Sequence, residues 1–110
     1  MRTIERTNVF KRDFKREKSG QHRRDLDALV FTTISRLAED KPLPEKNRDH
    51  ALGGEWRDHR ECHLKPDLLL IYRKPNAAVL QLVRLGSTAN SLARLGFLLR
   101  AGWSKLDEHG

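Results

Sequence analysis

The hydrophobic positions near the start of the chain predict a short amphipathic helix. Phe10 and Phe14 lie one helical turn apart with basic residues between them, and Thr7 or its neighbour can cap the helix, which would end near Ser19. Residues 2–6, ahead of it, alternate around one isoleucine and predict only a short, weak strand. The chain is therefore predicted to begin with a strand followed by a helix.

A longer helix is predicted from His22 to Asp40, because six residues in this stretch recur at the spacing of one helical face. They are Leu26, Leu29, Val30, Thr33, Ile34 and Leu37. Residues 41–55 contain two prolines and two glycines and cannot continue the helix, so a long loop is predicted there. Long loops in compact domains often carry function.

Beyond this loop the hydrophobic period changes to two, which indicates β-strands. Residues 56–64 predict a strand with two distinct faces. One face would hold Trp56, Cys62 and Leu64, and the other Arg57, His59, Glu61 and His63. Residues 67–72 are nearly all apolar, as in a central strand covered on both faces, and residues 78–85 form a third candidate strand.

Short turns at Lys65-Pro66 and Pro75-Asn76 separate these three strands. Connections this short predict an antiparallel meander, and the two helices are the obvious cover for one of its faces. The predicted fold class is α+β, in the order strand, helix, helix, strand, strand, strand.

Charge is concentrated at the N-terminal end of the 110-residue chain. The formal net charge is +7, and residues 1–24, with nine basic and three acidic side chains, carry +6 of it. Such a patch suits a polyanionic partner, either nucleic acid or an acidic protein. A solvated helix face would have the same composition, so both interpretations stay open at this point.

The single cysteine, Cys62, cannot form an internal disulfide, which fits a reducing cytosol. No apolar stretch approaches the roughly 20 residues needed to span a bilayer, and the N-terminal segment lacks the apolar core of a secretory signal. We therefore expect a cytoplasmic protein without membrane contact. No metal or cofactor is expected, because the histidines lack the paired spacing of zinc ligands and no glycine-rich phosphate loop is present.

Four residues around the predicted first hairpin could carry out phosphoryl transfer: His50, Arg60, His63 and Asp67. Cleavage of RNA needs a base for the 2′-hydroxyl, a cation beside the phosphorane and an acid for the leaving oxygen. Imidazole, guanidinium and carboxylate groups supply these functions. The residues alone leave a simpler alternative open, in which the aspartate forms a turn and the strand histidine is a surface residue.

Three segments of the sequence carry a family signature. They are residues 50–56 (His-Ala-Leu-Gly-Gly-Glu-Trp), residues 60–72 (Arg-Glu-Cys-His-Leu-Lys-Pro-Asp-Leu-Leu-Leu-Ile-Tyr) and residues 82–87 (Leu-Val-Arg-Leu-Gly-Ser). Over residues 1–87 the chain resembles the RelE/ParE superfamily of bacterial toxins, specifically its YafQ-type branch. The resemblance implies a RelE-like fold, with two helices packed on an antiparallel sheet. It also implies the toxin of a type II toxin–antitoxin module, which enters the ribosomal A site and cleaves mRNA. The implied partners are ribosome, mRNA, rRNA and a cognate antitoxin with a partly disordered acidic segment.

The resemblance also implies roles for individual residues. His50, His63 and Asp67 would be catalytic, with Asp67 or His63 as general base, and Arg60 would support the scissile phosphate. The basic patch, together with Arg84, becomes a candidate surface for RNA phosphates. Its candidate side chains are Lys11, Arg12, Lys15, Arg16, Lys18 and Arg84. Where the family has a bulky aromatic after the aspartate, this chain has Leu68, so stacking on a substrate base would be weaker.

The chain departs from the family after Ser87. The family ending, Gly-Ser-His-Ser-Glu-Leu-Phe, supplies a histidine taken to be the general acid, and Thr88 stands in its place. If Ser87 ends in C and residues 88–92 are encoded ACA-GCG-AAC-TCT-TTG, reading one base earlier gives His-Ser-Glu-Leu-Phe. We therefore interpret residues 1–87 as the toxin domain and residues 88–110 as an atypical tail that follows a one-base deletion.

Three alternatives accompany this interpretation. A native tail could pack across the sheet, and its leucine spacing predicts a short helix over residues 91–103. The chain could also be a catalytically inactive paralogue that binds an antitoxin, in sequestration or autoregulation. A gyrase inhibitor of the ParE type would share the fold but not the histidine and aspartate set, and the residues present argue against it.

Overall fold

The computed structural model describes residues 1–87 of the chain. They form two helices and five strands, in the predicted order with one added strand. The helices are α1 (Asn8–Lys18) and α2 (Leu26–Ala38), and the strands are β1 (Thr3–Arg6), β2 (His50–Ala51), β3 (His59–Lys65), β4 (Leu68–Asn76) and β5 (Val79–Ser87). The added strand, β2, lies inside the predicted loop. Two residues are too few to show a hydrophobic period, so the sequence pattern could not reveal it.

All five strands belong to one sheet, in the order β1-β5-β4-β3-β2. The predicted antiparallel meander is confirmed as β3, β4 and β5. β1 instead pairs with β5 in parallel, from Thr3 opposite Val79 to Arg6 opposite Leu82. Parallel neighbours need a long connection, and here the two helices and the rest of the sheet supply it. The sheet is therefore mostly antiparallel, with one parallel pair at its edge.

The two helices cover one face of the sheet, as predicted, and the main core lies between these layers. Thr7 caps α1, because its side chain accepts a hydrogen bond from the backbone N–H of Phe10 at 2.9 Å. The buried side chains of this face include Phe10, Leu26, Val30, Ile34, Leu37, Cys62, Leu64, Leu68, Leu70, Tyr72, Leu80, Leu82 and Leu85. Burial raises the pKa of the Cys62 thiol, so this cysteine stays protonated and behaves as a small core residue.

The second helix begins at Leu26, and the prediction that it begins at His22 is wrong. The backbone N–H groups of Asp25 and Leu26 both donate to the carbonyl of His22, so residues 22–25 form a turn. The hydrophobic period itself starts at Leu26, and polar turn residues ahead of it carry no period that would mark the boundary. The turn places His22 beside Asp67, in the connection between β3 and β4, rather than on a helix.

Part of the opposite sheet face is covered by loop residues. Trp56 packs there against Ile71 and Val83. The prediction that Trp56 shares a face with Cys62 is wrong, because Cys62 is in the helix-covered core. Trp56 ends a short 3₁₀ turn, and the bend after it restarts the alternation of the strand at His59.

The described part of the chain ends with β5, whose Ser87 lies opposite Leu68 at the start of β4. The predicted tail helix over residues 91–103 lies outside the described residues. The boundary between domain and tail stays a prediction for the same reason. Within residues 1–87, no helix combines the length and the apolar composition needed to cross a membrane.

Candidate active site

Two of the three predicted catalytic residues lie on the sheet face that points away from the helices. β2 pairs with β3 so that His50 lies opposite Glu61. His63 is two residues further along β3, where side chains return to the same face. Diagonal neighbours of this kind have Cα atoms about 7–8 Å apart. Cys62, between Glu61 and His63, points the other way into the helix-covered core.

His50 contacts a buried carboxylate that the strand pattern did not single out. Its Nε2 is 3.4 Å from Oε1 of Glu61, and Glu61 is only 4% exposed. Its Nδ1 is 2.7 Å from the carbonyl oxygen of Arg48, a residue with the left-handed φ of 47°. A carbonyl oxygen only accepts, so Nδ1 carries a proton in this contact. Both ring nitrogens of His50 therefore have a partner among the described residues.

His63 lies near the turn end of β3, and the preceding loop fixes its backbone. Its carbonyl accepts a hydrogen bond from Nδ2 of Asn47 at 2.7 Å, and Asn47 is buried at the end of a 3₁₀ turn. Its ring Nδ1 is 3.4 Å from the carbonyl of Pro66. Among the residues that the structure describes, no group contacts Nε2 of His63, so this nitrogen is available to a substrate.

Asp67 occupies the turn between β3 and β4, and the linker between the helices holds its carboxylate. Nε2 of Gln21 donates to Oδ2 at 2.9 Å, and Nε2 of His22 lies 3.1 Å from the same oxygen. Within residues 1–87, no hydrogen bond or ion pair joins Asp67 to His63. The hairpin therefore brings the two predicted residues to one turn without a hydrogen bond or ion pair between their side chains.

Sequence reasoning missed Gln21 and His22, the two partners of Asp67. The contact between His22 and Asp67 spans 45 positions of the chain, and no local pattern links a linker residue to a turn so far away. The only available signal was a histidine in an otherwise polar linker.

Arg60 faces the opposite side of the sheet from His50 and His63. Its Nε donates to Oδ1 of Asp49 at 3.2 Å, and the hydroxyl of Tyr72 donates to the same oxygen at 2.6 Å. Burial and the neighbouring Asp49 raise the pKa of Tyr72, so its hydroxyl keeps the proton that it donates. The structure does not bring Arg60 together with the histidines. A contact with the scissile phosphate stays a prediction.

Comparison with known proteins identifies the family. The family model described as "Bacterial toxin of type II toxin-antitoxin system, YafQ" matches residues 2–92. The chain belongs to the YafQ toxin family. The match covers all of the described fold except the first residue and continues five residues beyond Ser87.

Three chains similar to this one match it over 96% or more of their own length. The mRNA interferase toxin YafQ of Escherichia coli strain K12 is 30% identical over 95 residues, which are 86% of this chain and 97% of that protein. A copper-bound mutant toxin from Helicobacter pylori superposes with a TM-score of 0.72 at 35% identity, over 83% of this chain and 99% of that one. A chain of the E. coli DinJ-YafQ toxin–antitoxin complex superposes with a TM-score of 0.67 at 27% identity, over 82% and 96%.

Two arginines predicted to bind RNA contact one buried carboxylate in this YafQ-family toxin. Asp13, only 2% exposed, accepts hydrogen bonds from Nε of Arg84 at 2.7 Å, Nη1 of Arg16 at 3.0 Å and the backbone N–H of Leu85 at 3.0 Å. These bonds connect α1 with β5. Arg16 and Arg84 thus have a structural role here, and their binding to RNA stays a prediction.

The other four predicted RNA-binding side chains are exposed on α1. They are Lys11, Arg12, Lys15 and Lys18. Lys18 pairs with Asp27 at 2.6 Å across the helix interface, where both side chains remain accessible to water. The positive face of the helix is therefore accessible, and phosphate binding by it stays a prediction.

Two further positions were predicted to depart from the family pattern. Leu68, at the position predicted for the family aromatic, is fully buried in the helix-covered core and so presents no surface for stacking. Thr88, at the position predicted for the family histidine, lies outside the described residues. Ser87, the last described residue, pairs with Leu68, which follows Asp67 in the chain.

The copper-bound relative raises the question of a metal site in this YafQ-family chain. Within residues 1–87, no three His, Cys, Asp or Glu side chains gather as a metal ion would require. The histidines of the candidate site contact a carboxylate and carbonyl oxygens instead, and we assign no metal role to them.

Proposed function

We propose that this chain is the toxin of a type II module and cleaves mRNA on the ribosome, in the cytoplasm. One observation carries the proposal: His50, Glu61 and His63 share one sheet face, and Asp67 stands in the turn that follows β3. Two imidazoles and two carboxylates therefore lie on β3, on its neighbour β2 and in the turn that follows β3. The activity named for the E. coli relative, mRNA interferase, supports the same assignment.

The proposed reaction uses the 2′-hydroxyl of the RNA as its nucleophile. Oδ1 of Asp67 takes the proton of this hydroxyl while the 2′-oxygen forms a bond to phosphorus. The bond between phosphorus and the 5′-oxygen of the next nucleotide breaks, which leaves a 2′,3′-cyclic phosphate. The departing 5′-oxygen takes a proton from water. Nε2 of His63 donates a hydrogen bond to the charge that develops on the phosphorane. Nε2 of His50 does the same once it exchanges its 3.4 Å contact with Glu61 for the phosphate.

Protonation of the leaving oxygen is the slow step of the proposed reaction. The family histidine that would supply the proton is replaced by Thr88. A positioned general acid contributes typically about 10²- to 10⁴-fold in rate. We therefore propose that the present chain is a weak nuclease on an otherwise retained scaffold.

Replacing Asp67 with asparagine is expected to lower the cleavage rate by about 10²-fold or more, because an amide keeps the shape of the carboxylate but cannot take the proton. The purified chain is mixed in excess with ribosomes paused on a defined mRNA, and cut sites are mapped by primer extension over time. The same mRNA without ribosomes should stay intact.

Asp58→Asn is the matched control, because Asp58 is exposed near the start of β3 and the substitution removes the same charge. Equal rates in the two variants would refute Asp67 as the base. A larger loss in His63→Gln than in Asp67→Asn would assign the base to His63 instead. Cleavage of mRNA without ribosomes at an equal rate would refute ribosome dependence.

We also propose that an antitoxin neutralises this chain through an acidic segment. A relative forms a toxin–antitoxin complex with DinJ. The net charge of +7 is complementary to an acidic segment. A groove of about 300 Å³ opens between α1, α2 and β1, and Phe31, 73% exposed, stands beside it. Such a groove could accept apolar side chains of the same segment.

Antitoxin binding without catalysis is the second candidate function, and the histidine missing at Thr88 favours it. The ribosome assay separates the two candidates. Copurification with the product of a neighbouring gene, together with intact mRNA at every toxin concentration, would select the binding role. Cleavage that Asp67→Asn removes would select the nuclease.

Replacing Lys11, Arg12 and Lys15 together with glutamine is expected to weaken binding to ribosomes and to reduce its salt dependence. Removing one side chain that binds a phosphate reduces the slope of log affinity against log salt by about one. The measurement is ribosome cosedimentation over a series of salt concentrations. The cleavage rate on saturating ribosomes should stay unchanged, since these side chains lie on α1 and not at the catalytic face.

A variant with Arg36, Lys41 and Lys46 replaced by glutamine is the control. It changes the net charge equally, and its three side chains are exposed elsewhere, at the end of α2 and in the following loop. Equal salt slopes for the two triple variants would show that total charge matters and that the α1 face is only a solvated helix face.

A further inference from the structure

The linker between α1 and α2 contains a buried histidine that contacts the proposed catalytic base. His22 is 7% exposed, whereas histidine as a residue type is only intermediate in burial. Its Nε2 is directed at Oδ2 of Asp67, 3.1 Å away. Buried polar atoms need hydrogen-bond partners. The contact with Asp67 satisfies this requirement for Nε2 of His22.

The contact geometry assigns the proton positions. A carboxylate oxygen accepts, so Nε2 of His22 carries the ring proton that faces Asp67. Nε2 of Gln21 donates to the same Oδ2 at 2.9 Å. The two nitrogens lie 3.3 Å apart because they share one acceptor. Both residues therefore act as donors to a single oxygen of the carboxylate.

The second oxygen of the carboxylate is left accessible. Among residues 1–87, no donor contacts Oδ1 of Asp67, and the side chain as a whole is 45% exposed. Two donors on Oδ2 restrain rotation about the Cβ–Cγ bond and so fix the direction of Oδ1. A base held in this way resembles the general arrangement in which a third group orients the base that deprotonates a nucleophile.

We propose that His22, assisted by Gln21, is a positioning residue that holds Asp67 for proton abstraction from the RNA. This inference rests on the proposed nuclease function. It assigns a catalytic purpose to the contact between the interhelical linker and the β3–β4 turn. The reaction itself is unchanged: the 2′-hydroxyl proton goes to Oδ1, and Oδ2 keeps its two donors.

A second contact at the same junction provides a matched control. Nζ of Lys65 donates to Oδ2 of Asp25 at 2.8 Å, which ties the same linker to the same turn without contacting Asp67. Replacing Asp25 with asparagine removes this ion pair alone. A purely structural role of the junction would give Asp25→Asn and His22 variants similar effects.

The decisive variant is His22→Leu, which removes the donor and keeps an apolar side chain of similar volume in the buried site. We expect its single-turnover cleavage rate on ribosomes to fall about 10- to 100-fold, the range that a displaced catalytic group produces. Ribosome affinity and the thermal unfolding midpoint should stay close to those of the unmodified chain. His22→Gln, whose amide can also donate to Oδ2, should recover most of the rate, and Asp25→Asn should keep it.

A double-substitution cycle tests whether His22 acts through Asp67. In the Asp67→Asn background, His22→Leu should change the residual rate by less than about twofold, because residues that act as one unit are not additive. A loss that multiplies with that of Asp67→Asn would overturn the positioning role. So would failure of His22→Gln to exceed His22→Leu, or a fall in Asp25→Asn equal to that in His22→Leu.

The outcomes also separate this inference from the proposed function. Cleavage by the unmodified chain with an equal rate in His22→Leu would overturn the role of His22 alone. Intact mRNA at every concentration of the unmodified chain would overturn the nuclease function, and the positioning role with it.

Discussion

The chain with its family ending restored is expected to cleave mRNA on ribosomes about 10²- to 10⁴-fold faster than the present chain, because a histidine at position 88 returns the general acid. The restored form ends at residue 92 and carries Thr88→His, Ala89→Ser, Asn90→Glu, Ser91→Leu and Leu92→Phe. Its induced expression should also arrest bacterial growth. Both readouts compare equal amounts of purified or expressed protein.

The strand register explains why one added imidazole would have so large an effect. Ser87 pairs with Leu68 across the β4–β5 ladder, and Leu68 follows the proposed base Asp67 in the chain. We propose that a histidine in the next position acts beside this base. It would donate to the 5′-oxygen while Asp67 removes the 2′-hydroxyl proton.

A version of the restored chain with Thr88→Gln is the matched control, since it carries the other four changes and the same length without the imidazole. Equal rates for histidine and glutamine at position 88 would refute the missing acid. Full-strength cleavage by the present chain would mean that another group, such as Thr88 or His109, already supplies the proton. The DNA of the locus tests the deletion itself, because codons other than those proposed for residues 87–92 would remove it.

Replacing Asp13 with alanine is expected to lower the free energy of unfolding by about 3–5 kcal/mol, the usual cost of removing one partner from a buried, hydrogen-bonded charge network. Asp13 accepts hydrogen bonds from two arginines and from the backbone N–H of Leu85. The side chain of Arg84 is only 16% exposed, so loss of the carboxylate leaves a largely buried cation without this partner. The measurement is equilibrium unfolding in urea.

Asp27→Ala serves as the control for Asp13→Ala. Asp27 also lies on a helix and pairs with a basic side chain, but it is 69% exposed. Exposed pairs of this kind contribute about 0–1 kcal/mol. Similar destabilisation by the two variants would refute the view that Asp13 is a buried centre joining α1 to β5. It would also mean that Arg16 and Arg84 are available to bind RNA.

Hydrophobic spacing was enough to predict the main elements of this fold. The leucine and isoleucine positions of α2 recur at 3.6 residues, and β4 is a continuous apolar run between two turns. These signals are local, because each arises within one helix or strand. The errors occurred where local periodicity is weak: the polar turn before Leu26, the two-residue strand β2 and the bend after Trp56.

The candidate site shows the same division. The family resemblance predicted that His50, His63 and Asp67 are catalytic. The β3–β4 hairpin places two of them, His63 and Asp67, near one turn. Strand alternation also separates Arg60 from His63, since an odd spacing along β3 puts the two side chains on opposite faces. The partners of these residues were not accessible in this way. From the sequence alone, Glu61 is an ordinary polar strand residue. Only the pairing of β3 with β2 shows that it is buried against His50.

The sequence by itself determined the α+β order, the meander, the helix-covered face and the family, because periodicity, turn residues and motif strings are properties of neighbouring positions. Only the tertiary structure decided which side chains hold the site. His22 contacts Asp67 across 45 positions of the chain. Arg84 contacts Asp13 across 71 positions. Such contacts form when the linker, the turn and β5 are brought together by packing of the helices on the sheet, and no local pattern specifies them.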